Sequence, residues 1–205
     1  MEEPKGYVPV ITILLVAANV IIYLYTEMTG SSLETNHMIE MGAMYRPLFL
    51  EGQEYYRIIT HFFLHFGAEH LGNNMISLIV LGYVIEGNIG RIRFLVLYFM
   101  SGIIAGFSSI VYNIVTLNEA VVSCGASGAV YGLMGALIVM LFLKRKSLKR
   151  ELPRFLLFIV LSSYSGMRDA SIDGAAHIGG LVAGIMICGL MCLGSYNLRE
   201  RIREA

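Results

Sequence analysis

Apolar residues in this chain fall in long runs, not in the alternation of a half-buried strand or the narrow stripe of a soluble amphipathic helix. Runs at roughly 8–25, 71–85, 94–115, 125–143, 155–167 and 175–193 predict six helices, each read as a membrane span. The second and fifth are short or interrupted by polar residues. The first is long enough to cross, has a weakly acidic N-terminal flank and lacks a small-residue cleavage pattern, so it reads as a retained helix and not a signal peptide. Between the first two runs lies a long outer loop, 26–69, too long for a mere connection. Its second half, YYRIITHFFLHFGAEH, is expected to lie in the interface with its rings at headgroup depth. With no internal repeat and no low-complexity tract, 1–205 reads as a single domain of the all-α membrane class, a bundle of six transmembrane helices.

Composition sharpens this. The chain is 56% hydrophobic and 15% charged, where a soluble domain carries about a quarter charged residues. A soluble class is excluded and the lipid bilayer is the expected surroundings. Net charge is zero, yet its placement is lopsided. With the N-terminus cytoplasmic, Lys5, Arg91, Arg93, the run Lys144–Arg154 and the tail Arg199–Arg203 fall inside, against Arg46, Arg57 and Arg168 outside. Positive-inside bias therefore selects a cytoplasmic N-terminus and C-terminus. The basic stretch LKRKSLKRELPR is then a topology signal, and no nucleic-acid partner is expected. Cys188 and Cys192 lie one turn apart and Cys124 has no evident mate, so no disulfide framework is implied.

Strongly polar groups inside apolar spans are costly and mark function by default. His70 and Asn74 share a face at the start of the second span, Ser127 opens the fourth and His177 opens the sixth. By the topology above all four lie toward the outer side of the membrane. Gly128 and Gly132 form one GxxxG, Gly180 and Gly184 another, and such helices bring their backbones close. Packed on those faces, Ser127 and His177 would meet as nucleophile and general base. The amide of Asn74, the ring of His70 and the Ser127 backbone N–H would then be donors to an oxyanion. No Asp or Glu is placed at this depth to orient His177, so a dyad is expected.

These segments closely resemble the rhomboid family of intramembrane serine proteases. CGASGAVYGLMG, with Gly125 opening its GxSG, resembles the family's nucleophile segment. The resemblance implies Ser127 as nucleophile and Tyr131 as the aromatic packing on the base. AAHIGGLVAG is similar to the family's last helix and implies His177 as base. HFGAEHLGNN has the family spacing that implies a structural role for His65 and oxyanion roles for His70 and Asn74. EYYRIIT is similar to the loop motif carrying Arg57, with Tyr56 where the family has Trp, and EGNIGR implies a structural carboxylate at Glu86 near the cytoplasmic side. The implied fold is a rhomboid-like six-helix bundle in a plasma membrane, the architecture pointing to a bacterial one. The implied activity is cleavage of transmembrane protein substrates through an acyl-enzyme, the fifth span with Ser162, Ser163, Tyr164 and Ser165 serving as a gate.

Two rivals bound this reading. His61, His65 and His70 cluster in sequence, but HExxH is absent and no carboxylate pair sits in the spans, so no metal and no cofactor is expected. The alternative is a catalytically silent rhomboid-like protein that binds membrane clients, and such relatives usually lack the nucleophile or the base. Nothing in the sequence specifies an oligomeric state.

Overall fold

The computed structural model describes residues 7–118, 121–143 and 173–204, with 194–204 as backbone helix alone. The predicted fifth span at 155–167, its gate serines and the basic run after Leu143 lie outside the described residues. The chain is mostly helical: α1 (Val10–Thr29), α2 (Thr35–Glu40), α3 (Arg46–Leu50), α4 (Arg57–Thr60), a 3₁₀ turn at His61–Phe63, α5 (Gly67–Ile89), α6 (Arg91–Val115), α7 (Ser127–Leu143) and α8 (Gly174–Glu204). Two short strands, β1 (Met44–Tyr45) and β2 (Val122–Ser123), pair antiparallel with Met44 opposite Ser123. Among the described residues, α1, α6 and Gly174–Leu193 of α8 are long and apolar enough to cross a membrane; α7 is a shorter apolar helix. The predicted second span is the centre of the longer α5, whose Glu69, Glu86 and asparagines dilute its hydropathy.

α1 is turned inside out relative to a soluble helix. Thr12, Asn19 and Thr26 face inward and are buried, while Ile13, Leu14, Ile21, Leu24 and Met28 are exposed. Only an apolar solvent makes that orientation favourable. The inward Thr12 is held by Glu86 of α5, a carboxylate that is 0% exposed. It accepts from the Ile11 N–H at 3.1 Å, the Thr12 N–H at 2.8 Å and the Thr12 hydroxyl at 2.7 Å. A helix N-terminus offers amides without partners of their own and a positive dipole end, so a buried anion fits there. Gly90, at φ +85°, then turns the chain sharply from α5 into α6.

α7 is apolar on all sides and is the buried centre, with Gly128–Val130 and Gly132–Leu137 shut off from the surroundings. Phe62, Leu78, Phe94, Leu97, Tyr98, Leu133 and Leu137 form one continuous core around it. Much of the second half of the 26–69 segment packs inside the protein. Arg57, His61, Phe62, Leu64 and His65 are buried in protein, and Tyr55 and Tyr56 are the rings left exposed. The reason is Arg57. Its guanidinium donates to the Ile39 and Ala43 carbonyls, each at 2.7 Å, and pairs with Glu54, so its charge is satisfied inside and draws the segment inward. Tyr56, in the Trp position, lies under that guanidinium at 5.5 Å and donates its hydroxyl to Glu54.

Candidate active site

The residues before Ser127 are fixed by the outer segment. β2 is pinned to β1, and the Gly125 N–H donates to the His61 carbonyl at 2.9 Å. The Ala126 N–H donates to His65 Nε2 at 3.3 Å. Accepting that bond requires a neutral imidazole, and burial provides one by pushing the His65 pKa down to about 3. Gly125 sits at φ +130°, and a side chain there would strike the His70 ring, 2.8 Å from the would-be Cβ. Glycine is needed on both counts. Three histidines thus wrap one loop: His61 through its carbonyl, His65 through Nε2, and His70 through its ring face. His61 also spends Nδ1 on the Arg57 carbonyl at 2.8 Å, so both His61 and His65 commit a ring nitrogen to backbone. The Cys124 thiol, next along, is pushed up by burial and stays protonated.

His177 arrives by helix packing. A methyl group at Gly180 would run into the Gly128 carbonyl oxygen, and one at Gly184 into that of Gly132. Both GxxxG pairs therefore face each other across α7 and α8. The crossing has a third member. Ala105 of α6 packs on Gly128, and Ser101 of α6 packs on Gly132, a contact that glycine spacing in two helices does not reveal.

At the head of this crossing His177 Nε2 stands 2.9 Å from Ser127 Oγ. Its ring is stacked on Tyr131, centroids 4.2 Å apart and planes 8° from parallel. Stacking fixes the ring plane, so Nε2 is aimed at the hydroxyl and not merely near it. His70 packs edge-on against His65 at 5.2 Å and borders the loop at Gly125. Asn74 is buried and donates from Nδ2 to the His70 carbonyl at 3.0 Å, which uses one of its two amide protons. With the proton of a neutral ring on Nδ1, Nε2 would stand as acceptor against the hydroxyl proton, as proton abstraction requires.

One sequence expectation needs correction. A carboxylate does sit beside this depth: Asp173 immediately precedes α8 and caps it, Oδ1 accepting the Ala176 N–H at 2.9 Å. An Asp just ahead of an apolar helical run is a standard N-cap signal, and the string IDGAAH carried it. His61, whose carbonyl holds the loop before Ser127, is a residue whose role the sequence pattern does not reveal.

Comparison with known proteins agrees with the architecture. A family model described as the Rhomboid domain matches residues 52–194. The chain is 31% identical over 195 residues to the rhomboid protease GluP of Bacillus subtilis, covering 93% of this chain and 37% of that protein. It is 34% identical over 168 residues to RHOMBOID-like protein 6, mitochondrial, of Arabidopsis thaliana, covering 81% of this chain and 53% of that one. It is 27% identical over 213 residues to the rhomboid protease AarA of Providencia stuartii, covering 92% and 75% respectively. The chain thus spans between a third and a little over half the length of the first two. A helical bundle with apolar faces turned outward and a family domain over most of its length define a multi-pass membrane protein. The chain belongs to the rhomboid family.

Proposed function

We propose that this chain is an intramembrane serine endopeptidase that hydrolyses transmembrane protein substrates through a Ser127/His177 dyad. The observation that carries the proposal is the 2.9 Å approach of His177 Nε2 to Ser127 Oγ, with the ring clamped on Tyr131. Ser127 Oγ attacks the scissile carbonyl carbon as its proton passes to His177 Nε2. The carbonyl oxygen becomes an oxyanion stabilised by the Ser127 N–H, His70 and Asn74. The imidazolium then gives its proton to the departing amine, leaving an acyl-enzyme on Ser127. Water, deprotonated by the same ring, hydrolyses that ester and restores the hydroxyl. His65 and Gly125 hold the nucleophile loop, Arg57 holds the outer segment, Glu86 fastens α1 to α5, and the four glycines set the helix separation.

The rest of the proposal concerns placement. The chain forms one domain of six spans with both termini cytoplasmic, so the dyad opens toward the outer face of a plasma membrane. The GluP and AarA names, each a rhomboid protease, favour catalysis over silent client binding. The test is cleavage of a single-pass reporter in liposomes by wild type, Ser127→Ala and His177→Ala, with and without chelator. Cleavage lost in both variants and indifferent to chelator supports the dyad. Cleavage that survives Ser127→Ala refutes it, and a folded wild type that binds the reporter uncut favours the silent reading.

A further inference from the structure

Asp173 is placed as more than a helix cap. Its Oδ1 takes the Ala176 N–H at 2.9 Å and its backbone carbonyl takes the His177 N–H at 3.1 Å, so the residue holds the turn that carries the base. Its other carboxylate oxygen, Oδ2, is buried and has no hydrogen-bond partner among the described residues. Ser, Thr or Asn would cap the helix equally well. A carboxylate with one oxygen shut away from water is a costly substitute unless its charge has a use.

The charged and titratable groups around His177 indicate the use. Among the described residues two act on its ring through space, Asp173 from the cap of its helix and His70 from α5. α7 contributes the Ser127 hydroxyl and the Tyr131 ring, both uncharged in the resting site. His61, in the 3₁₀ turn, also feels Asp173, but burial pushes its pKa down to about 4. It is therefore neutral near pH 7 and does not balance the carboxylate's charge. Among the described residues, Asp173 is the anion within electrostatic reach of the base.

We propose that Asp173 is a positioning residue and charge partner for His177: Oδ1 pins the first turn of α8, and the carboxylate charge balances the imidazolium formed when His177 takes the Ser127 proton. No bond from carboxylate to ring is needed, because the charge acts through a medium of low dielectric. This inference rests on the Ser127/His177 reading.

The test measures kcat, KM and the pH profile of kcat for full-length Asp173→Asn, Asp173→Ser, Asp173→Ala and Asp173→Glu in liposomes, beside wild type and Ser127→Ala. Asn and Ser keep a capping oxygen and remove the charge. For both, kcat falls by about tenfold, the equivalent of one pKa unit of differential stabilisation, while KM stays within about twofold. The acid limb of the profile moves to lower pH, and Glu recovers part of the loss. A wild-type kcat and profile in Asp173→Asn would overturn the proposal, leaving Asp173 a cap. Should Asp173→Ala fail to fold, the Asn and Ser variants still decide. Undiminished cutting by Ser127→Ala identifies failure of the parent reading, and the inference falls with it. Inactive Ser127→Ala beside unaffected Asp173→Asn isolates failure of the inference alone.

Discussion

Gly180→Ala adds one methyl group at the place where helix packing and chemistry meet. Gly180 lies one turn beyond His177, and the new Cβ would stand 2.9 Å from the Gly128 carbonyl carbon, with the carbonyl oxygen closer still. Carbon atoms sit comfortably no nearer than about 3.5 Å, so α7 and α8 must part locally by at least about 0.6 Å. The obstructing atoms are backbone, which cannot swing aside as a side chain would. Carried to the head of the crossing, that separation stretches the 2.9 Å bond between His177 and Ser127 to the limit of hydrogen bonding. Overpacking costs about 1–3 kcal/mol of stability, and displacement of a base by a large fraction of an ångström lowers kcat by up to about a hundredfold. Reporter cleavage and thermal unfolding in detergent measure the two effects separately. Gly189→Ala is the control, since a methyl group there meets nothing within 4 Å among the described residues and the same helix gains propensity. Gly180→Ala with the kcat of Gly189→Ala would refute the claim that glycine-governed contact sets the dyad distance.

Three further outcomes follow from other parts of the molecule. Asn74→Ala lowers kcat by about 10²-fold with little change in KM, as removal of one oxyanion donor does; an equal fall in reporter affinity would make Asn74 a binding residue instead. Glu86→Gln removes the anion that caps α1 and weakens three hydrogen bonds, costing about 2–4 kcal/mol, read as a lowered unfolding temperature with turnover per folded molecule unchanged. Burial takes His65 from 6.5 to about 3 on folding, so between those values the unfolded chain binds the proton and the folded one does not. Stability is then full above pH 6.5 and falls by up to about 1.4 kcal/mol per unit as pH drops toward 3. Unfolding temperatures of wild type and His65→Gln across that window measure the difference, and parallel curves would contradict the assignment.

How legible all this was depends on the range of the interaction involved. Ser127, His177 and the two GxxxG pairs were readable because helix periodicity maps spacing onto faces, and the meeting of those faces needed no knowledge of other helices. The role of α6 was not readable, because Ser101 and Ala105 are ordinary residues until a third helix is placed against Gly132 and Gly128. The burial of the segment around Arg57 was hidden for a related reason. Its rings and cations have interfacial composition, but Arg57 finds two carbonyls and Glu54 inside the fold, and no local pattern announces partners up to eighteen residues away. Asp173 is legible as a helix cap but not as a neighbour of the base, because its carboxylate hydrogen-bonds backbone and not the imidazole.

The most direct test of the central claim is the mass of the intact protein after reaction with a fluorophosphonate, a reagent that phosphonylates a serine only when a neighbouring base activates it. The account predicts a single adduct on wild type that maps to Ser127, none on Ser127→Ala, and labelling slowed to the rate of an ordinary hydroxyl in His177→Ala. An adduct on another residue, or one that forms as fast without His177, would contradict the account.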